Sequence, residues 1–261
     1  MNHQLWSDSA KQYAESAPKI SFYKDTAKYI AEIVDKYEYH NFVDLGCGSA
    51  NLVLNALLEG YPRRSVTCTD AAKGMIAVAE HNNKFNNATF LSTAAENINF
   101  APDSICCFLA NSAFWMFNFE KALSRIHSQL KHNGGLLINF SEWDLQGSKY
   151  ETLKYSLIDS QLEKSGYAKK EYKGTPIKYS KNTLLAMIES AGFEVSKVIT
   201  KTICVTKQDW IEFYKVPAIA AKSLPHLDLS EALSTLNLAM NALPQDYTHQ
   251  MKWLFIKAVK I

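Results

Sequence analysis

Two carboxylates and two glycines frame the chemistry available to this chain. Asp44 stands two residues before Gly46 in Phe42-Val43-Asp44-Leu45-Gly46-Cys47-Gly48-Ser49-Ala50-Asn51, and Asp70 closes the run Ser65-Val66-Thr67-Cys68-Thr69. Gly46 and Gly48 permit a tight turn and let backbone approach a ligand closely. The amides of residues 49–51 then lead into a helix, where polar or anionic ligand groups are favoured. A dinucleotide site wants G-x-G-x-x-G, whereas position 51 is asparagine. Asp44 would repel a diphosphate and suits a ligand that carries positive charge. Asp70 follows the loop by about 20 residues, the spacing of an acid that binds ribose hydroxyls. Together these residues describe a nucleoside site with a cationic arm.

The elements that must position them alternate. Strands are expected at 41–46, 65–70, 88–92, 104–110 and 135–141, with helices at 51–58, 72–82 and 119–130 between them. This order predicts a doubly wound α/β fold, a mostly parallel sheet with helices on both faces. Ligands of such sheets lie beyond the carboxyl ends of the strands. Asp44, Asp70, Asn111 and Glu142 all fall at or near such ends.

Ahead of the first strand, residues 1–40 read as two helices separated near Pro18, the second over 21–39. After Glu142-Trp143-Asp144 the alternation breaks in an insertion over 143–180, with a helix at 150–163. Six lysines and three tyrosines over 164–181 make that stretch either a solvated flap or a surface for an anionic partner. A helix at 181–190 and a strand at 193–204 resume the core. Thr206 with Asp209 gives an imperfect capping pattern before a helical stretch, 207–245, interrupted at Pro217, Pro225 and Pro244. A final strand follows at 253–260. We therefore expect a single domain, 1–261: N-terminal helices 1–40, cofactor-binding core 41–142, cap insertion 143–180, and C-terminal core 181–261 carrying the helical insertion 207–245.

Composition excludes several classes. The apolar content is that of a folded chain, and a net charge of +2 gives no global case for nucleic acid. No apolar run approaches the roughly 20 residues of a membrane span, so a cytoplasmic protein is expected. No two of the five cysteines have metal-site spacing, and no metal is expected.

The segment Val43-Asp44-Leu45-Gly46-Cys47-Gly48-Ser49-Ala50 resembles motif I of the class I S-adenosylmethionine-dependent methyltransferases. The resemblance continues through Asp70-Ala71-Ala72-Lys73-Gly74-Met75-Ile76, Ala95-Glu96-Asn97-Ile98, Asn111-Ser112-Ala113-Phe114-Trp115 and Leu130-Lys131-His132-Asn133-Gly134-Gly135-Leu136. It implies a seven-stranded Rossmann-like sheet and S-adenosylmethionine as cofactor, leaving S-adenosylhomocysteine as product. It also implies that Gly46, Cys47 and Gly48 approach the methionine and ribose through backbone, with Asp44 near the ammonium and Asp70 on the ribose. Ala71 and Met75 would line the adenine, Ala95 and Glu96 would read its edge, and Asn111 would lie beneath the sulfonium. Tyr13 would close over the methionine end, unless it and Trp6 are only the apolar face of a surface helix. The chain departs from the pattern at Ala50, where many members have a third glycine, and at Ala94, where many have aspartate.

The expected acceptor is a small, partly apolar metabolite, methylated at oxygen in preference to nitrogen or carbon. Tyr23, Phe114, Trp115 and Trp143 are the candidate acceptor-pocket residues, each also readable as core. Glu142 and Asp144 are candidate bases by position, while His127 reads as a helix-surface residue. Positioning alone contributes much of a methyl transfer, so a base is not required. The proline-stiffened turn of base-methylating relatives is absent at Asn111-Ser112-Ala113-Phe114, which counts against a nucleic-acid acceptor. The alternatives are an acceptor borne on a protein or carrier protein, met by the lysine-rich stretch, and a non-catalytic cofactor-binding subunit.

Overall fold

The computed structural model describes residues 3–37, 39–61, 63–141, 152–167 and 179–261. Its centre is a seven-stranded sheet in the order β3-β2-β1-β4-β5-β7-β6. The strands are β1 (Asn41–Leu45), β2 (Ser65–Asp70), β3 (Ala88–Ser92), β4 (Ile105–Ala110), β5 (Leu130–Ser141), β6 (Phe193–Thr206) and β7 (Thr248–Lys260). The first five pair in parallel, and β7 runs antiparallel to both β5 and β6. β4 reads Ile-Cys-Cys-Phe-Leu-Ala because a central parallel strand is covered on both faces.

Each face has its own apolar core. On one, Phe42 and Cys68 of the sheet meet helix α3 (Ser21–Val34), through Ile30 and Val34, and α4 (Val53–Leu58), through Leu54 and Leu57. On the other, Val43, Phe108 and Leu136 meet α6 (Phe119–Gln129) and α8 (Lys181–Ser190), through Leu123, Ile126, Leu184 and Ile188. Helix α5 (Lys73–Asn82) follows β2, and α7 (Thr152–Lys164) precedes α8. The β1 periodicity of two sends Val43 and Leu45 to the second core, and Asp44 to the face it shares with Phe42.

Two sets of helices flank the strand ends. α1 (His3–Asp8), α2 (Ala10–Ser16) and a 3-10 turn, Ala17–Lys19, lead into α3. Between β6 and β7 stand α9 (Lys207–Tyr214), α10 (Pro217–Ser223) and α11 (Leu229–Asn241), the predicted insertion with breaks at Pro217 and in the stretch holding Pro225. The capping pattern at Thr206 is a complete capping box: Asp209 N–H donates to the Thr206 hydroxyl, and the Asp209 carboxylate accepts Thr206 N–H at 2.7 Å.

Several boundaries differ from expectation, among them the start of β7 at Thr248 rather than at 253 and the end of β6 at Thr206 rather than at 204. The second N-terminal helix ends at Val34 rather than at 39, because Tyr37 leaves the helical face to stack on Tyr39 (5.5 Å between centroids) beneath the Lys257 ammonium. The helix after the glycine turn starts at Val53, since Gly46, Gly48 and Ala50 all take positive φ and the chain turns until residue 52. β5 begins at Leu130, where Ile105 of β4 pairs ahead of a register shift. Among the described residues no helix is long and apolar enough to cross a membrane, and no cluster of three His, Cys, Asp or Glu residues could hold a metal ion.

Candidate cofactor and active site

The sheet order reverses between β1 and β4, and the loops leaving their carboxyl ends open a crevice there. Gly46 has φ +65°, and a Cβ built on it would lie 2.7 Å from the Ala113 Cβ across that crevice. Gly48 has φ +56°, and a Cβ there would lie 2.8 Å from the Tyr13 ring. Both positions therefore need glycine for conformation and for space. Ala50 takes φ +56° with a side chain, a strained left-handed conformation. Asn51, at the place of a third dinucleotide-loop glycine, donates from Nδ2 to the Ala14 carbonyl at 3.0 Å and so ties the loop to α2.

A cavity of about 240 Å³ lies over this loop. Tyr13, Gly46, Gly48, Asp70, Ala71, Met75, Ala95, Glu96 and Asn111 line it, all of them anticipated as cofactor residues. A recess of about 30 Å³ adjoins it, sharing Tyr13, Tyr23, Gly46 and Asn111 and adding Asp44 and Cys47. The eleven expected cofactor residues thus meet in one place.

Asp70 is held from both sides. Gly48 N–H donates to Oδ2 at 2.9 Å and Ala72 N–H to Oδ1 at 2.8 Å. Each oxygen keeps lone-pair capacity for a further donor. The carboxylate is therefore a turn cap as well as a cavity group. Burial raises its pKa, and the two backbone donors oppose that rise.

Asp44 is 1% exposed, and among the described residues its Oδ2 has no hydrogen-bond partner. Burial, with the Asp70 charge second, holds its carboxyl well above the usual carboxylate range. The Cys47 thiol is pushed up by burial, by Cys68 and by both aspartates, and the Tyr13 phenol by burial and the same acids. Asp44, Cys47 and Tyr13 are thus all biased toward their protons, chiefly by burial, which disfavours charge of either sign until an opposite charge pairs with it.

Asn111 sits after β4. Its Oδ1 accepts from Asn139 Nδ2 at 2.7 Å, and Asn139 Oδ1 accepts Ser112 N–H at 2.6 Å. Asn139 is fully buried on β5, so it fixes the turn that carries Asn111 and the positive-φ Ser112. A lone asparagine amid apolar strand residues was the available signal for it.

Glu96 belongs to a 3-10 turn, Ala95–Asn97, and its Oε1 accepts Asn118 N–H at 2.5 Å. The Asn118 side chain in turn caps α6 through Lys121 N–H. Glu96 therefore ties the cavity wall to the start of α6.

The N-terminal helices close the cavity. Gly74 N–H donates to the Ser7 hydroxyl at 3.2 Å, and a Cβ at Gly74 would lie 2.3 Å from the Ser7 carbonyl oxygen. This close approach of α1 to α5 brings His3 and Trp6 onto the cavity, with Trp6 edge-on to Tyr13 at 6.1 Å. The N-terminal segment is fixed elsewhere by the Ser9 hydroxyl, which accepts Ala218 N–H, and by Asp209, which accepts Ser21 N–H. Tyr13 and Trp6 are thus cavity residues and not merely a surface apolar face.

Among the expected acceptor residues, Tyr23 lines both spaces. Phe114 does not. It is fully buried against Phe117, Phe119 and Phe140, because apolar neighbours from its own 3-10 turn, from α6 and from β5 enclose its ring, and it is core. Met116 and Phe117 line the cavity from the same turn. The backbone of Trp115 lies in that turn, and its side chain lies outside the described set. Glu142, Trp143 and Asp144, with 168–178 of the lysine-rich stretch, also lie outside the described residues. His127 packs edge-on against Phe193 at 5.2 Å, far along α6 from the cavity lining.

Comparison with known proteins follows the same residues. A family model described as a methyltransferase domain matches residues 42–134. A malonyl acyl-carrier-protein O-methyltransferase of Bacillus cereus is 29% identical over 98 residues, 37% of this chain and 36% of that protein, so the match spans about a third of the relative's length. A Galdieria sulphuraria structure named as a sarcosine dimethylglycine methyltransferase shares the fold at TM-score 0.58 and 14% identity, covering 97% of this chain and 98% of that one. Haemonchus contortus phosphoethanolamine N-methyltransferase 2, solved with S-adenosyl-L-methionine, aligns at TM-score 0.52 and 16% identity over 88% of this chain and 51% of that one. The cavity fits that cofactor's demands: an unpartnered buried Asp44 oxygen, a glycine cradle without room for Cβ atoms, and Asp70 with spare acceptor capacity. The glycine loop, Asp70 and Asn111 thus all fall within residues 42–134, the part of the chain that matches the methyltransferase-domain family, and they sit at the strand ends of its sheet.

Proposed function

We propose that the protein transfers a methyl group from S-adenosylmethionine to a small, partly apolar metabolite, at oxygen in preference to nitrogen or carbon. The observation that carries the cofactor assignment is the orphaned, proton-biased Asp44 carboxyl in a recess continuous with the Asp70 cavity. Bound there, S-adenosylmethionine supplies an electrophilic methyl group on a sulfonium. The chain's own residues bind and orient. Asp44 accepts the amino-acid ammonium and loses its proton in doing so. The backbones of Gly46, Cys47 and Gly48 carry the methionine and ribose, Asp70 accepts from the ribose hydroxyls, and Ala71 and Met75 flank the base. Tyr13 and Trp6 exclude water from the reacting end, and Tyr23 and Asn111 border it.

Holding the acceptor in line with the methyl group then contributes several kcal/mol, of the order of intramolecular positioning effects. The N-terminal helices cover the cavity, backed from outside by the helices of 207–241, and this cover favours a small acceptor. The single domain 1–261, with these additions as caps, is part of the same reading. Five free thiols support work in a reducing compartment such as the cytoplasm.

The Bacillus cereus relative supports a second acceptor class, a carrier-bound acid methylated at oxygen. Incubation of the purified chain with methyl-labelled cofactor and a cell extract, later separated into metabolite, protein and RNA fractions, decides between them. Label in the metabolite fraction supports the first reading. Label in protein replaces it with the second, and label in RNA overturns both. Tight binding of S-adenosylhomocysteine with no label anywhere favours a non-catalytic subunit.

A further inference from the structure

A second cavity, of about 350 Å³, lies at the amino ends of β1 and β2, at the opposite end of the sheet from the cofactor crevice. The five residues of β1, roughly 16 Å of extended chain, separate it from the glycine loop. Its walls come from the turn after α3 and the turn that joins α4 to β2. Tyr37, Tyr39, His40, Tyr61, Arg63 and Arg64 line it, with Asp35.

The walls are fixed in advance of any ligand. The buried Arg64 guanidinium donates to Asp35 Oδ1 at 2.7 Å and to the Leu57 carbonyl at 3.3 Å, and lies 3.8 Å from the Tyr61 ring centroid. Tyr61 donates its hydroxyl to Asp35 Oδ2 at 2.8 Å, so its ring is held although 39% of the residue is exposed. In the other turn, Tyr37 stacks on Tyr39. Tyr39 is seated where Gly135 has no side chain, since a Cβ there would lie 2.7 Å from its hydroxyl oxygen.

The charges do not cancel. Both Asp35 oxygens are engaged by Arg64 and Tyr61, which leaves one guanidinium of the lining to spare. Arg63 is exposed and makes no hydrogen bond or ion pair among the described residues. Behind the wall, the Lys257 ammonium lies 3.4 Å from the Tyr37 centroid, with no carboxylate partner among the described residues. A cation over one face draws electron density from a ring, so Tyr61 favours an electron-rich partner on its other face. Among the described residues no aromatic ring packs on it. A planar guanidinium meanwhile takes a carboxylate or phosphate through paired hydrogen bonds.

We infer that this cavity is a second binding site, for a small aromatic ring that carries a carboxylate or phosphate. The ring stacks on Tyr61 and the oxyanion pairs with Arg63. The volume is within the range of small-ligand pockets.

The test is calorimetric titration of 2-naphthoate and 2-naphthyl phosphate into the purified full chain, with and without S-adenosylhomocysteine. One saturable site is expected for at least one of them, and the tighter probe identifies the preferred oxyanion. Neutral 2-naphthamide and the ring-saturated decalin carboxylate should each bind about tenfold or more weaker, through loss of the charge and of the stacking face. Arg63→Gln and Tyr61→Leu should each cost about tenfold. Tyr61→Phe, which keeps the ring, should stay within about threefold of the unaltered chain. Absence of saturable binding by either anion overturns the inference. So does an affinity unchanged in Arg63→Gln, or displacement of the probe by S-adenosylhomocysteine, which would place it in the cofactor crevice.

Discussion

The cofactor face and the cap of this molecule are built by different means. Between residues 41 and 113 the acids and glycines of the site come from strand ends, and their surroundings are the ends of adjacent parallel strands: Asp70 with Gly48, Asp44 with the recess beside it, Gly46 against Ala113. The cap is joined by contacts far apart in the chain. Ser9 meets Ala218, Asp209 meets Ser21, and Phe22 stacks on Trp253 at 6.2 Å while touching Phe213 at 5.7 Å. The first region derives its geometry from backbone conformation. The second derives it from a few buried polar side chains and an aromatic cluster. A lesion in the first should therefore act on the ligand, and one in the second on stability.

Gly48→Ala gives a large expected effect on the cofactor side. The new Cβ adds left-handed strain to a 2.8 Å clash with the Tyr13 ring, and about 3 kcal/mol from the two sources lowers cofactor affinity about a hundredfold in a calorimetric titration. A loss below tenfold would mean that Tyr13 yields easily and that the loop is less rigid than described.

On the cap side, Asp209→Ala removes the acceptor for Ser21 N–H and Thr206 N–H at once. A loss of about 2–4 kcal/mol follows, read as a fall in Tm of roughly 5–10 °C. Cofactor affinity should change by less than about tenfold, since no cavity group is lost. A variant that melts normally but cannot bind would erase the division between the two regions.

Asp44 sharpens the comparison through pH. Its folded carboxyl titrates above the usual range because of burial and, second, of Asp70. In the free protein it binds a proton that the unfolded chain has released, so its contribution to stability is full at low pH and is lost as pH rises through the folded value. A cationic ligand reverses the preference. S-adenosylhomocysteine should bind more tightly as pH rises through that window, with proton release visible as a buffer-dependent heat. Asp44→Asn should abolish both dependences. A pH-independent affinity in the unaltered chain would contradict the ammonium assignment.

Ala50→Gly is the smallest change. Relief of a positive φ at a 3% exposed alanine, less the added chain entropy of glycine, stabilises by about 0.5–1 kcal/mol in denaturant unfolding. A destabilisation would mean that the Ala50 methyl packs better than its backbone is strained.

The cofactor face was legible because its signals are local. Strand ends, glycines and acids at fixed spacing determine which groups face the crevice, and Asp44, Asp70 and Asn111 follow from them, whereas Met75 came from the family resemblance alone. Ala50 as a left-handed residue was not legible, since alanine carries no mark of positive φ. Asn139 and Asp209 were missed as positioning residues because their partners lie 27 and 188 residues away. His3 reached the cavity only through the contact of Ser7 with Gly74, which sequence spacing does not encode. Phe114 was drawn toward the pocket by its neighbours in the motif, yet three aromatic rings claim it for the core.

The central claim is that the crevice between β1 and β4 binds S-adenosylmethionine through Asp70. Calorimetric titration of S-adenosylhomocysteine into the purified chain and into Asp70→Ala tests it most directly. One saturable site is expected in the unaltered chain, with affinity lower by roughly 1.5–3 kcal/mol for each charged hydrogen bond lost in the variant. No binding in the unaltered chain, or equal affinity in both, would contradict the account.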